Sequence, residues 1–246
     1  MTDAVVWSLA SQQSKLAANE IHIWRANLDL APNSVARLSA FLSGAEISRA
    51  ARFFRPSDRQ RFVVARGVLR ELLGGYVHKP PATLVIDTGV RGKPALHDGA
   101  GTSALRFNLS HSHGLALYAF VLHRELGVDV EWIRPEVARE ALEERYFSSQ
   151  ELLELRTLPQ ESHSEAFFLC WTRKEAYIKA RGEGLSIPLD TFSVSLTPGQ
   201  PACLSSDDYE RWSIHSISPQ PGFAGALVVE GSESSLRFWE WRESNG

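Results

Sequence analysis

A long apolar segment around residue 170 constrains the fold of this chain more than any other feature. Residues 167–180 contain no helix-breaking residue, and two glycines follow within four positions, as they do where helices end. Trp171, Glu175 and Lys179 are spaced by four residues, so they share one face of the predicted helix. An exposed Glu–Lys pair on a helix contributes only about 0.3 kcal/mol, so this face alone does not indicate a functional site.

A pair of acids lies upstream, in residues 126–132, whose sequence Leu-Gly-Val-Asp-Val-Glu-Trp is typical of a strand. Alternate side chains of a strand share a face, so Asp129 and Glu131 point to one side and Val128 and Val130 to the other. Two like charges side by side are unfavourable unless a cation lies between them. Carboxylate oxygens favour a hard divalent ion, and Mg2+ usually keeps waters and substrate phosphate oxygens in its remaining positions.

Four short motifs together resemble the 4'-phosphopantetheinyl transferases, and most closely the surfactin-synthetase-activating type. Two of them form a paired signature, Gly-Val-Asp-Val-Glu at 127–131 and Trp-Thr-Arg-Lys-Glu-Ala-Tyr-Ile-Lys at 171–179. The others are Arg-Gly-Lys-Pro at 91–94 and Phe-Asn-Leu-Ser-His-Ser at 107–112. The resemblance covers about residues 43–194, and its specificity comes from the four motifs together.

The expected fold class is α+β, with two similar α/β halves in a pseudo-twofold arrangement and the active site in the cleft between them. The resemblance implies this architecture, and an internal echo agrees with it, since Arg-Phe-Phe at 52–54 and Arg-Tyr-Phe at 145–147 each precede a helix followed by strands. The N-terminal half, residues 1–123, would hold the phosphate and adenine contacts of coenzyme A. The C-terminal half, residues 124–246, would hold the metal and catalytic motifs.

The resemblance implies a Mg2+-dependent transferase, with Mn2+ as an alternative metal. It would move the 4'-phosphopantetheine arm of coenzyme A to a serine of an apo acyl or peptidyl carrier protein and release adenosine 3',5'-bisphosphate. The metal ligands would be Asp129, Glu131 and Glu175. Glu175 would also deprotonate the serine, and Lys179 would stabilise the transferring phosphoryl oxygens. A carboxylate that binds a metal tightly is a poor free base, so the two roles of Glu175 are in tension.

Further polar residues are expected to contact coenzyme A. Ser110 and His111 are adjacent on a strand and face opposite sides, which argues against the nucleophile–base pair of a hydrolase. The resemblance instead places them against a coenzyme A phosphate, while basic side chains neutralise the 3'-phosphate and the pyrophosphate. The full expected set is Arg49, Arg91, Lys93, Ser110, His111, Lys174 and Lys179.

Charge and hydrophobic patterning argue against several other classes of protein. The 26 Lys and Arg residues against 29 Asp and Glu residues give a net charge of −3, which disfavours a general nucleic-acid binder. No apolar run approaches 18 residues and no signal peptide is evident, so a membrane or secreted protein is not expected. We therefore expect a cytoplasmic protein in which Cys170 is a buried free thiol, and the resemblance implies a monomer.

Periodicity and turn residues predict the remaining elements. Ser43 and Glu46 form a capping-box pattern that opens a short helix. The glycine pair at 74–75 is expected to end a long amphipathic helix, and strand 127–132 is expected to pair with strand 115–122. Helices are expected at 34–42, 59–76 and 136–155, and strands at 20–29, 83–87, 107–111, 115–122, 192–196, 212–217, 223–229 and 236–241.

Two other functions stay open at this stage. One is a carrier-protein-binding module without activity, against which the intact acids and Lys179 argue. The other is a different Mg2+-dependent phosphotransfer or nucleotide-hydrolysing enzyme, which would have no need of the motifs at 91–94 and 107–112. In the transferase, the carrier would dock on the mostly acidic segment 133–164 through exposed apolar side chains. The candidates are Leu142, Tyr146, Phe147, Leu152 and Leu153.

Overall fold

The structure is a computed structural model, which describes residues 6–9, 15–88, 92–97, 103–134, 140–183, 186–232 and 235–243. Its two larger β-sheets are each covered by one long helix. The strands are β1 (Ser8–Leu9), β2 (Glu20–Asn27), β3 (Val85–Thr88), β4 (Pro94–His97), β5 (Leu105–Ser112), β6 (Leu115–Leu122), β7 (Leu126–Trp132), β8 (Ser193–Val194), β9 (Leu204–Ser205), β10 (Trp212–Ile217), β11 (Phe223–Glu230) and β12 (Ser235–Glu240). The helices are α1 (Pro32–Ser39), α2 (Gly44–Ala50), α3 (Pro56–Val77), α4 (Glu140–Tyr146), α5 (Ser149–Thr157) and α6 (His163–Arg181).

The first sheet has the strand order β1-β12-β2-β6-β5 and packs against helix α3. Strand β6 reads Leu-Ala-Leu-Tyr-Ala-Phe-Val-Leu, and it is apolar on both faces because both faces are covered. On one face, Tyr118 and Phe120 pack with Val68 of α3. On the other face, Leu117 and Ala119 pack against the second sheet.

The second sheet has the order β10-β11-β7 and packs against helix α6. Ala226 and Val228 of β11 share a buried cluster with Tyr177 of α6. The opposite face of the sheet contacts the first sheet through Val128 and Leu227. The layers therefore follow the order α3, first sheet, second sheet, α6, and the expected α+β class is confirmed.

A buried glutamate is held in the same way in each half of the molecule. In α2, Glu46 closes a capping box with Ser43 and lies 2.7 Å from Arg70 of α3. In α5, Glu151 closes the same kind of capping box and lies 2.8 Å from Lys174 of α6. This repetition agrees with two similar halves. The pseudo-twofold axis and the division between residues 123 and 124 stay predictions, and β12 lies in the first sheet beside β2.

Strand β7 pairs with β11 and not with β6, so the expected pairing of residues 127–132 with 115–122 is wrong. Asp129 lies opposite Ala226, and Glu131 lies opposite Ala224. The two edges of β6 are already occupied by β2 and β5, which leaves it no backbone groups for another strand. Strand β7 lies beside β5 instead, and side chains of β5 hydrogen-bond to it.

Several helices differ from their expected bounds, and two of the differences have a clear physical reason. The segment expected to be largely helical at 136–155 contains α4 and α5, which are separate because Ser148 caps a new helix start, and residues 136–139 lie outside the described residues. Helix α3 continues past Gly74 and ends at Val77, and its cap residue His78 has a left-handed φ of 53°. Gly74 serves close packing, since a Cβ atom there would lie 2.7 Å from the carbonyl oxygen of Lys79.

Both cysteines are free thiols. Cys170 is buried in the core around α6, where burial raises the pKa of its thiol well above the usual value, and Cys203 is exposed. The expectation for Cys170 is therefore confirmed. Within the described ranges, no helix combines the length and the apolar character that crossing a membrane requires.

Candidate active site

Helix α6 lies very close to strand β7 at Gly127. A Cβ atom at this position would lie 2.1 Å from the carbonyl oxygen of Ala176 and 2.3 Å from the amide nitrogen of Ala180. Glycine is therefore required for the contact. Because Glu175 and Lys179 flank the contact on the helix, the close approach brings them to the acids of β7.

Asp129 is the most firmly held of these acids. Lys179 Nζ lies 2.6 Å from Asp129 Oδ1, and Ser110 Oγ donates to the same oxygen at 2.7 Å. The other oxygen, Oδ2, is buried and has no hydrogen-bond partner in the part of the chain that the structure describes. A buried carboxylate oxygen without a donor is unfavourable, so Oδ2 is a candidate to bind a cation.

Glu131 and Glu175 lie near Asp129, and the pKa of each carboxyl is raised. Burial is the main cause for both, and the negative charge of Asp129 raises both pKa values further. The positive charge of Lys179 opposes the rise in both, and a hydrogen bond from Ser112 opposes it in Glu131. Three carboxyl groups thus share one partly buried space in which a further positive charge would be stabilising.

These three acids fit a hard divalent ion. They offer oxygen atoms only, and no donor from the described residues reaches Asp129 Oδ2. Among the residues described, no group of three or more His, Cys, Asp or Glu side chains forms a ready-made metal site. An incomplete protein site agrees with the chemistry of Mg2+, which is usually bound by one or two carboxylates together with waters and substrate phosphates.

A cavity of about 660 Å³ opens beside the acids. Its size lies within the range of roughly 300–1,000 Å³ that is typical of small-molecule and cofactor sites. Strand β5, helices α2 and α3 and the end of α6 contribute to its wall. The basic and aromatic side chains in this wall are Arg49, Phe53, Phe62, Arg66, His111 and Lys179.

Two cations act on His111 in this cavity. Burial lowers the pKa of its imidazole, and the positive charges of Lys179 and Arg49 lower it further. The imidazole is therefore neutral at neutral pH and can both donate and accept a hydrogen bond. The guanidinium of Arg49 lies 5.5 Å from the ring centre of Phe62, a contact that favours its place at the cavity wall.

Arg66 is a cavity residue that the sequence interpretation missed. Its guanidinium lies 2.7 Å from Glu46, and Arg70 lies 2.7 Å from the other oxygen of the same carboxylate. Two arginines share one acid, so this wall keeps a positive charge. The spacing of four residues between Arg66 and Arg70 signalled a common helix face, but their acidic partner lies in another helix.

Of the expected site residues, the structure brings together Arg49, Ser110, His111, Asp129, Glu131, Glu175 and Lys179. Lys93 and Lys174 have their donors engaged elsewhere. Lys93 Nζ lies 2.7 Å from Glu125 Oε2 and within hydrogen-bond distance of two backbone carbonyl oxygens, which uses all three of its hydrogens. Lys174 is fully buried and pairs with Glu151. Arg91 lies outside the described residues.

Comparisons with known proteins give a consistent result. Residues 125–228 match the family described as "4'-phosphopantetheinyl transferase superfamily", and residues 31–121 match "4'-phosphopantetheinyl transferase, N-terminal". The 4'-phosphopantetheinyl transferase HetI of Nostoc sp. (strain PCC 7120) is 40% identical over 92% of this chain and 94% of its own. The 4'-phosphopantetheinyl transferase Sfp of Bacillus subtilis is 28% identical over 78% of this chain and 84% of its own. A solved holo-(acyl-carrier-protein) synthase from Bacillus anthracis, in complex with CoA (3',5'-ADP), is 25% identical with a TM-score of 0.37, covering 45% of this chain and 96% of that chain.

Proposed function

The chain belongs to the 4'-phosphopantetheinyl transferase superfamily, and we propose that the acids of β7 together with Glu175 and Lys179 form its reacting centre. The protein transfers the 4'-phosphopantetheine arm of coenzyme A to a serine of an apo carrier protein and releases adenosine 3',5'-bisphosphate. The observation that carries the proposed site is the state of Asp129. One of its oxygens is bound by Lys179 and Ser110, and the other is buried beside a cationic cavity with no donor from the residues that the structure describes.

The proposed ligands of the divalent ion are Asp129, Glu131 and Glu175, with Mg2+ as the expected ion and Mn2+ as an alternative. When bound, the ion would neutralise negative charge on the pyrophosphate of coenzyme A. Asp129 would offer Oδ2 while Oδ1 stays bound to Lys179. Because the pKa values of Glu131 and Glu175 are raised, both carboxyls hold protons to a higher pH than usual, and metal affinity should rise with pH.

Glu175 is the proposed acceptor of the proton from the carrier serine, directly or through a water. Its raised pKa brings the carboxyl closer to the operating pH, which favours a general base. The serine oxygen forms a bond to the phosphorus that carries the pantetheine arm, and the bond from that phosphorus to the leaving adenosine phosphate breaks. Lys179 would stabilise the negative charge on the transferring oxygens.

The two proposed roles of Glu175 can be separated with Glu175→Gln. A loss of turnover with metal affinity preserved would assign the residue as the base. Loss of both would show that it also binds the ion, because an amide oxygen is a weaker ligand for Mg2+ than a carboxylate.

Arg49, Arg66 and His111 are the proposed contacts for the phosphates of coenzyme A. The two arginines are permanent cations, and a neutral imidazole can donate a hydrogen bond to a phosphate oxygen. Ser110 already donates its hydroxyl hydrogen to Asp129, so its proposed role is to hold that acid. The reaction would therefore take place where the cationic wall of the cavity meets the acids of β7.

Intact-mass spectrometry of an apo acyl or peptidyl carrier protein tests this function. With wild-type protein, coenzyme A and Mg2+, the carrier should gain one phosphopantetheine arm, and adenosine 3',5'-bisphosphate should appear. Asp129→Ala should stay folded and lose nearly all turnover at millimolar Mg2+. If the wild-type protein modifies none of a panel of apo carrier proteins, the function is refuted. Normal activity of Asp129→Ala with unchanged metal dependence would refute the site alone.

The same measurement separates the other two functions considered. A carrier-binding module without activity would bind the carrier without any gain in mass. A different phosphotransfer or nucleotide-hydrolysing enzyme would release phosphate or nucleotide and leave the carrier unchanged. A monomeric state and a cytoplasmic location are also proposed, and light scattering and cell fractionation test them.

A further inference from the structure

Strand β5 contacts strand β7 through polar side chains, although the two strands belong to different sheets. Asn108 and Ser110 alternate along β5 and face β7. Asn108 Oδ1 accepts a hydrogen bond from the backbone N–H of Val128 at 2.9 Å, and Ser110 Oγ donates to Asp129 Oδ1 at 2.7 Å. Side chains of β5 thus take the place that the backbone of a neighbouring strand would have, and they fix the position of β7 along β5.

The third residue of this series is Ser112, which contacts β7 twice. Its hydroxyl oxygen accepts a hydrogen bond from the backbone N–H of Trp132 at 3.2 Å. Its hydroxyl hydrogen is donated to Glu131 Oε2 at 2.7 Å. The N–H can only donate and a carboxylate can only accept, so the direction of both bonds is defined and the single hydroxyl hydrogen points to the carboxylate.

The turn that follows Ser112 is held in place. His113 and Gly114 form a two-residue hairpin loop with φ values of 45° and 86°, as a type I′ turn requires. A Cβ atom on Gly114 would lie 2.6 Å from Asp29 Oδ2, so the loop fits closely against its neighbour. The ring of His113 stacks on Trp132 with 3.9 Å between the ring centres. The hydroxyl of Ser112 is therefore held in position by its own hydrogen bonds and by the closely packed turn that follows it, before any ligand binds.

We propose that Ser112 is a positioning residue that holds Glu131 Oε2, so that Oε1 is directed toward the divalent ion. This inference rests on the proposed function, in which Glu131 is a metal ligand. The two carboxylate oxygens of Asp129 differ in the same way, because Ser110 and Lys179 hold Oδ1 and leave Oδ2 without a partner among the described residues. Each acid of β7 would thus be held through one oxygen and would bind the ion through the other. Partners that orient metal ligands in this way commonly change metal affinity or activity by about 10- to 100-fold when they are lost.

Direct binding of Mn2+ to the full-length protein with coenzyme A, followed by electron paramagnetic resonance, tests the proposal without a turnover measurement. Ser112→Ala should weaken Mn2+ binding by about 10-fold or more. Ser112→Thr keeps the hydroxyl and should restore binding to within a few-fold of the wild type. Ser112→Cys keeps the volume with a weaker donor and should fall between the two. Ser103→Ala, two residues before the start of β5 and at the far end of the strand from Ser112, is the matched control and should bind Mn2+ as the wild type does.

A double-mutant cycle with Glu131→Gln identifies the residue through which Ser112 acts. In that background, Ser112→Ala should add little further loss of Mn2+ affinity, and thermal unfolding should confirm that each variant is folded. The proposal would be overturned by a folded Ser112→Ala that binds Mn2+ normally, by Ser112→Thr as weak as Ser112→Ala, or by an equal loss in both backgrounds. Failure of the wild type to modify a carrier protein would refute the proposed function. The Mn2+ binding measurements would still decide whether Ser112 positions Glu131, because they do not depend on turnover.

Discussion

Replacing Gly127 with alanine would force helix α6 away from strand β7. The new Cβ would lie 2.1 Å from the carbonyl oxygen of Ala176 and 2.3 Å from the amide nitrogen of Ala180, both of which are backbone atoms that cannot rotate aside. Ordinary contacts between such atoms lie near 3.5 Å, so the two elements must separate by about 1 Å. Overpacking of this kind destabilises a protein by about 1–3 kcal/mol. In a chain of this size, that lowers the melting temperature by about 2–12 °C.

The activity of Gly127→Ala should fall by more than its reduced stability alone would explain. Glu175 and Lys179 flank the contact, and a displacement of about 1 Å at reacting groups can lower a rate by about 100-fold. Binding of coenzyme A through Arg49 should persist, because α2 and α3 do not take part in the contact at Gly127. The assay combines thermal unfolding with kcat on an apo carrier, measured well below the melting temperature. A loss of kcat of about 100-fold with a nearly unchanged KM for coenzyme A is expected.

Gly44→Ala is the matched control for this substitution. Gly44 is the first residue of α2, and no heavy atom lies within 4 Å of a Cβ placed there. Alanine should leave the stability unchanged or raise it by about 0.4–1 kcal/mol, because it reduces the freedom of the unfolded chain. If Gly127→Ala melts with the wild type and retains its kcat, then the close approach of α6 does not position the reacting groups.

Three further predictions concern coenzyme A, pH and the carrier protein. His111→Ala should raise KM for coenzyme A by about 10- to 150-fold through the loss of one charge-assisted hydrogen bond. Lys93→Ala should leave that KM unchanged. Equal KM values for the two variants would contradict the proposed coenzyme A contacts. Burial lowers the pKa of His22, so as the pH drops the unfolded chain takes up a proton before the folded protein does, and the free energy of unfolding should fall below about pH 6.5. His22→Gln should lose less free energy of unfolding than the wild type between pH 7.5 and 5.5. An equal dependence of stability on pH in the variant and the wild type would refute this. Leu153 is 63% exposed, and Leu153→Ser should lower kcat/KM for the carrier at saturating coenzyme A. If Phe54→Ser, which changes a fully exposed side chain, lowers this kcat/KM and Leu153→Ser does not, the carrier docks on the N-terminal half.

Local periodicity predicted which side chains share a face, and the resemblance implied that the two faces meet. The alternation of a strand places Asp129 and Glu131 on one face, and the turn of a helix places Glu175 and Lys179 on one face. The structure brings Asp129 and Lys179 to 2.6 Å, and the charges of all three acids affect one another. Neither pattern required knowledge of the tertiary fold.

Partners that are distant in the sequence could not be predicted in the same way. Lys174 is adjacent to Glu175, yet one residue turns a helix by about 100°, and this rotation directs Lys174 into the core beside Glu151. Lys93 bonds to Glu125 and to backbone carbonyl oxygens that only the fold brings near it. The pairing of β7 failed for a similar reason, because the sequence does not show that both edges of β6 are occupied.

Some misplaced boundaries did have a signal in the sequence. Ser148 and Glu151 form the same capping-box pattern as Ser43 and Glu46, and it marks the start of α5. The role of Gly74 had no such signal. A glycine that ends a helix and a glycine that allows close packing look alike in a sequence, and only the carbonyl of Lys79 at 2.7 Å distinguishes them.

The position of β12 affects the order in which the chain can fold. The strand lies between β1 and β2 and runs parallel to β2, with Trp239 stacked on Trp24 at 5.9 Å between ring centres. During synthesis, β2 therefore keeps an unpaired edge until residues 235–240 have left the ribosome. An unpaired edge can associate with another chain, so we expect a fragment that ends before β12 to aggregate. The two halves should accordingly be difficult to express as separate pieces, even though their helices and sheets pack as distinct layers.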